Sequence, residues 1–200
     1  AAWLRDARID RPILMLEGFF SSDELLACSN LQLTPVVHSE EQLRMIESVR
    51  LSAPVDVHFK LNTGMNRLGF APASAPDAFR RLRASANVRN VTVMMHFADA
   101  DGPSGIAGQM SSFAKTLEVM PEARELPRSC ANSAGILRFP EAHADWVRPG
   151  IMLYGCTPFA DEPESNASSL GLQPVMTLTS RIIAVQELKV GERIGYGGIF

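Results

Sequence analysis

Short apolar runs rich in β-branched residues recur along the chain, and each is followed by a stretch whose apolar residues fall at helical spacing. This alternation predicts βαβ units around a parallel sheet. Residues 13–16 (ILML) are the first run, after which Ser21-Ser22-Asp23-Glu24 reads as a capping box opening a helix that carries Leu25 and Leu26. Residues 34–37 (TPVV) repeat the pattern, with Ser39 to Gln42 as a second capping box and Leu43, Ile46 and Val49 along one face. A strand at 55–60 precedes a helix near 76–84, with Pro76 in its first turn and Phe79 and Leu82 on one side. Residues 91–97 (VTVMMHF) form the next strand, and the helix after it, roughly 105–120, buries a stripe of Met110, Phe113, Ala114 and Leu117. Residues 128–133 and 147–154 complete the series as two further strands.

A closed (β/α)8 barrel of the TIM type has eight such units. The expected fold class is therefore α/β, a TIM-type barrel with about six of its eight βα units present, over residues 1–172. From Gln173 the texture changes to alternating strand sequence (VMTLTSRIIAVQELKV) with a turn at Gly191-Glu192, which predicts the start of a C-terminal all-β domain over 173–200. The Pro-, Ser- and acid-rich segment 158–173 reads as the linker. A first residue that is not Met and an end inside an apparent strand read as a piece of a longer protein, shortened at its front.

Composition narrows the function classes. At 46% hydrophobic and 20% charged, with a net charge of -3, the chain offers no electrostatic case for nucleic acid or an anionic membrane. Cys28, Cys130 and Cys156 are odd in number and outside any CxxC pattern, so neither a disulfide framework nor a metal site is expected. With no export signal or membrane span in the sequence, the expected location is the cytoplasm. Only Lys60, Lys115 and Lys189 could supply an amine.

Polar residues stand where successive strands should end: Lys60, His96, Asn132 with Ser133, and Arg148 before Gly150. In a parallel barrel these ends form the rim where chemistry is done. Each has a plainer reading alone: a solvated lysine, a satisfied core histidine, a helix N-cap and a turn. Their coincidence is what points to a site. Ser133 at a helix start, beside the backbone N–H groups of Gly150 and Ile151, suits a phosphate, though a phosphorylated substrate would fit as well as a phosphorylated cofactor. On residues alone, Lys60 is the natural candidate for a Schiff-base lysine.

The stretch VHFKLNTGMNRLGF at 57–70 closely resembles the central signature of the alanine racemase family, which racemises alanine with pyridoxal 5′-phosphate. The resemblance extends in order through LEGFF at 16–20, PVVHS at 35–39, HFADAD at 96–101, CANSAG at 130–135, VRPGIMLYG at 147–155 and GERIGYGG at 191–198. It implies an isomerase that makes D-alanine for peptidoglycan and works as a homodimer. It also implies that the Schiff-base lysine lies on a strand before this segment, and that the second base is a tyrosine of the partner subunit beyond residue 200; Tyr196 is given no catalytic role. Lys60 is then the lysine that is typically carbamylated to hold Arg67, and Arg67 faces the substrate carboxylate. His96 packs by the pyridine ring and Arg148 meets the ring nitrogen, while Asn132, Ser133, Gly150 and Ile151 complete the cofactor site. Asn62 stands where many members have Asp. The resemblance leaves two alternatives: a related pyridoxal-phosphate barrel enzyme, either a broad-specificity racemase or a decarboxylase, or a noncatalytic cofactor-binding or dimerising segment.

Overall fold

A computed structural model describes residues 1–198. After a short helix α1 (Ala2–Asp6) the chain alternates β1 (Leu14–Met15), α2 (Ser22–Asn30), β2 (Thr34–Val37), α3 (Glu40–Ser48), β3 (Val55–Lys60), α4 (Ala75–Ala84), β4 (Val88–Met94), α5 (Ala107–Glu118), β5 (Arg128–Ser129) and α6 (Ser133–Arg138). The five strands form one parallel sheet in the order β1-β2-β3-β4-β5. The sheet curls into part of a TIM-type barrel, as the alternation predicts.

The helices start where the sequence says they should. Ser21 Oγ accepts the Glu24 N–H at 3.2 Å, and the Glu24 carboxylate returns to the Phe20 N–H at 2.6 Å. Ser39 and Gln42 repeat the arrangement, with Gln42 Oε1 accepting the His38 N–H at 2.8 Å. Each pair satisfies orphan amides of the first turn.

Strand β3 divides the molecule into two faces. Val55, Val57 and Phe59 join Leu43, Ile46, Phe79, Leu82, Val91 and Val93 in the core between sheet and helices. Asp56, His58 and Lys60 lie on the other face, opposite the partners set by the register His58↔Thr92 and Lys60↔Met94.

Four expectations need correction. Residues 147–154 are not a strand: Trp146 makes an isolated parallel bridge with Ser129, Arg148 N–H donates to the Ala131 carbonyl at 2.9 Å, and Ile151–Tyr154 wind into a 3₁₀ turn. Pro149 has no N–H for the ladder and Gly150 adopts ψ −95, so strand geometry ends there. Among the described residues the sheet accordingly has five strands rather than six. β5 covers two residues instead of six, because Asn132 leaves the ladder to cap α6. In α5, Ala114 faces solvent and Thr116 is buried, its hydroxyl bonded back to the Ser112 carbonyl at 2.8 Å.

The described part of 173–200 forms no strand, and Leu178, Ile182 and Ile183 are exposed. An alternating sequence becomes a strand only against a partner that takes its hydrogen bonds. Residues 199 and 200 lie outside the described residues.

The loop after β1 turns on Gly18, whose φ of +77 suits glycine and whose missing Cβ would sit 2.2 Å from the Val36 carbonyl oxygen. Gly18→Ala is expected to lower the unfolding free energy by roughly 2–3 kcal/mol. A urea titration checks this, and an unchanged midpoint would refute the requirement for glycine.

Candidate functional site

Where β3 ends, the ladder delivers Lys60 to the rim and the chain folds back on itself. The Lys60 carbonyl accepts the Phe70 N–H at 2.9 Å, and Asn62 N–H donates to the Phe70 carbonyl at 2.9 Å. Asn62 Oδ1 accepts the N–H groups of Gly64 and Asn66 at 3.1 and 3.0 Å, forming an Asx-type turn. Asn66 takes the left-handed conformation with φ +57, a position that Asn tolerates. The closed loop presents Arg67 to the rim.

Arg148 is the hub of the opposite wall. Its Nη1 donates to Ser129 Oγ at 2.5 Å, and its Nη2 donates to the carbonyls of Met95 at 2.6 Å and Cys130 at 3.2 Å, with His96 Nδ1 at 3.4 Å. The guanidinium thus ties the ends of β4 and β5 together. Burial pulls its pKa down to about 10, still well above neutral pH.

The phosphate-like corner is built from backbone. Asn132 caps α6, its Oδ1 accepting the Gly135 N–H at 3.0 Å and its Nδ2 donating to the Phe97 carbonyl at 3.3 Å. Ser133 Oγ accepts the Gly150 N–H at 2.8 Å and the Met152 N–H at 3.4 Å. One oxygen gathering two backbone donors occupies the place an anionic oxygen would take.

These parts face one cavity of about 650 Å³. Lys60, Arg67, His96, Asn132, Ser133, Arg148, Gly150 and Ile151 all line it, so every residue nominated from the sequence is brought together. Leu16, Glu17, Asp101 and Thr157 also line it and were not nominated. Leu16 and Glu17 fall within a motif quoted only as a resemblance, and nothing in their own spacing marks them as rim residues.

Three cations, Lys60, Arg67 and Arg148, and two acids, Glu17 and Asp101, line the cavity. Among the described residues, none of Lys60, Arg67 and Arg148 has an acidic group within ion-pair distance, while Arg81 alone meets both Glu40 and Glu47. Burial, then Arg148 and Arg67, pushes the Lys60 amine down from 10.5 to about 8. Burial, then Arg148, Lys60 and Arg67, pushes His96 down to about 4, leaving a neutral imidazole at pH 7. His58, two residues before Lys60 on the same face, is buried and stands edge-on to Trp146 at 6.0 Å. Its Nδ1 has no partner among the described residues, and burial followed by Arg148 holds it near 4 as well. Repelled cations around an open cavity make a site for an anion.

The family model described as "Alanine racemase, N-terminal domain" matches residues 1–158. An alanine racemase of Nitrosospira multiformis is 52% identical over 203 residues, covering all of this chain and 55% of its own length. One from Thiobacillus denitrificans is 50% identical, with 53% of its length covered. The crystal structure of the biosynthetic alanine racemase from Pseudomonas aeruginosa superposes with a TM-score of 0.88 at 40% identity, over 99% of this chain and 54% of that one. The chain thus spans about half the length of the curated relatives it matches.

The two depressed histidines set an acid limit. Between about 4 and 6.5 the unfolded chain binds protons that His58 and His96 refuse in the fold, so stability rises with pH across that window and is lost on acidification. His58 alone accounts for about 2–3 kcal/mol by pH 4. Urea midpoints at pH 7 and pH 4.5 should differ distinctly less for His58→Phe than for the native chain, and equal differences would remove His58 as a cause.

Proposed function

The chain belongs to the alanine racemase N-terminal domain family, and on that premise we propose that its cavity holds pyridoxal 5′-phosphate in an enzyme that interconverts L- and D-alanine. The observation that carries this reading is the set of three cations without ion-pair partners facing one cavity beside a backbone-lined anion corner. The donor set suits a planar, phosphorylated ligand. Asn132 and Ser133 with the Gly150 and Ile151 N–H groups would hold the phosphate, Arg148 would meet the ring nitrogen, and His96 would flank the ring as a neutral imidazole.

When bound, the cofactor draws electrons away from the α-carbon of its substrate and loosens the proton there. Arg148 gives the ring nitrogen a hydrogen bond and keeps its own proton, because it stays cationic at neutral pH. Arg67 takes the substrate carboxylate, a pairing that suits a forked guanidinium. Inversion requires a proton to leave one face of the α-carbon and return to the other. We assign neither of those two bases to a residue of this chain.

Lys60 is a supporting residue in this reading. At a pKa of about 8 roughly a tenth of its amine is neutral at pH 7, against well under a thousandth for an ordinary lysine. The neutral amine adds carbon dioxide, forming an N–C bond and releasing one proton, and the resulting carbamate supplies the negative charge that Arg67 lacks. The alternating sequence from Gln173 is assigned to the start of a separate strand domain. The enzyme is assigned to the cytoplasm as a homodimer supplying D-alanine for peptidoglycan; among the described residues no helix is long and apolar enough to cross a membrane.

The test uses the full-length protein with added pyridoxal phosphate. D-alanine should form from L-alanine, Arg67→Ala should raise the alanine KM by about tenfold or more, and ¹³C-bicarbonate should give a carbamate resonance that Lys60→Ala abolishes. Borohydride reduction followed by peptide mapping should leave Lys60 free of pyridoxyl. Absence of turnover would sink the function, and a pyridoxyl adduct on Lys60 would sink its supporting role.

A further inference from the structure

Beyond Leu61 the pairing of β3 with β4 stops. Leu61 N–H donates to the Met94 carbonyl at 2.8 Å, so the next bond of a parallel ladder would run from the Thr63 N–H to the His96 carbonyl. A side chain takes that position instead. Gln109, in the first turn of α5, sets its Nε2 2.9 Å from the His96 carbonyl and 3.2 Å from Thr63 Oγ1, while its Oε1 accepts the Ala98 N–H at 2.7 Å. The orientation of the amide follows from these partners, since only its oxygen can accept from an N–H and only its nitrogen can donate to a carbonyl. Thr63 is buried, so its hydroxyl has little recourse to water.

The inserted amide lies between the two walls of the cavity. On one side is the loop that carries Arg67, and on the other the strand end that carries His96. Within the loop, Asn62 and the Phe70 bridge fix its shape but not its distance from β4. After the Leu61 bond, the bond between Thr63 and Gln109 is the next hydrogen bond among the described residues that links the loop, through Gln109, to the end of β4.

We propose that Gln109, anchored on Thr63, is a positioning residue that fixes the separation of Arg67 from His96 and thereby the fit of the anionic ligand between them. The proposal rests on the function assigned above. Gln109 lies outside the cavity lining and acts through its two neighbours.

The test compares Gln109→Met, Thr63→Val, Thr63→Ser and the Gln109→Met/Thr63→Val double variant in the full-length holoenzyme. Gln109→Met is expected to raise the alanine KM about tenfold with kcat within about threefold, as for loss of ligand positioning. Thr63→Val should move KM in the same direction and add nothing in the double variant, because Gln109→Met already removes the bond that Thr63→Val breaks. Thr63→Ser keeps the hydroxyl and should behave as the native protein. A KM unmoved by either change, with activity falling only as the melting temperature falls, overturns the proposal. A second readout does not depend on turnover: the NMR titration midpoint of the His96 imidazole should rise from about 4 towards 6.5 in Gln109→Met and Thr63→Val as the walls loosen and water enters. If the full-length protein proves inactive, the assigned function fails and the His96 midpoint alone decides the clamp; an unmoved midpoint overturns it. Should Gln109→Met not fold, the contrast between Thr63→Val and Thr63→Ser decides.

Discussion

Like charges can be kept together at one end of a sheet only if the surrounding structure holds them there against their repulsion. Lys60, Arg67 and Arg148 impose that constraint, and the carboxyl end of the sheet is arranged around it. Arg148 is restrained by backbone carbonyls at the ends of β4 and β5, whose dipoles offset part of its charge without supplying an acid. Arg67 is restrained by the shape of its loop, and Lys60 by a strand whose partners are fixed residue by residue. The contrast with the helical surface is direct: there Arg81 lies between Glu40 and Glu47, and the charges cancel locally. Cations that pair with acids on the helical surface but have no ion-pair partner in the cavity suit a negative ligand there.

Much of this was legible in the sequence, for reasons that differ by element. β2 and β3 were readable from their apolar runs, the helix over 40–48 from periodicity and its Ser39 cap, and the helix over 75–84 from periodicity and Pro76 in its first turn. The convergence of the nominated residues on one cavity was readable because strand ends in a parallel sheet converge, so position along the chain translates into position in space. The failures share a cause as well. Residues 147–154 carry strand-like composition, yet Pro149 and Gly150 break the ladder just where the chain must turn its amides towards Ser133. Ala114 and Thr116 exchange expected roles because the threonine satisfies its hydroxyl within its own helix, which period alone does not reveal.

The least legible residues were two glutamines. Gln42 reads as the last member of a capping box, but its Nε2 also reaches the carbonyls of Glu17 and Phe19 at 3.1 Å and pins the loop after β1. Gln109 reads as an unremarkable helix position and stands in for a missing strand residue. Both work through long-range bonds to backbone, an interaction with no signature in local sequence. An amide side chain offers a donor and an acceptor in the same spacing as a peptide group, so each can extend a sheet's hydrogen bonding into a loop without extending the strand.

The two-sided burial of β3 has a consequence for how this protein can change over evolutionary time. Phe59 fills the core while its neighbours His58 and Lys60 face the opposite side, so residues of the core and residues of the inner face alternate one by one along a single strand. Inserting or deleting one residue ahead of this strand would exchange the two sets, sending a lysine into the apolar layer and a phenylalanine into the cavity. The site therefore cannot drift gradually along β3. It is inherited intact with the core or lost together with it.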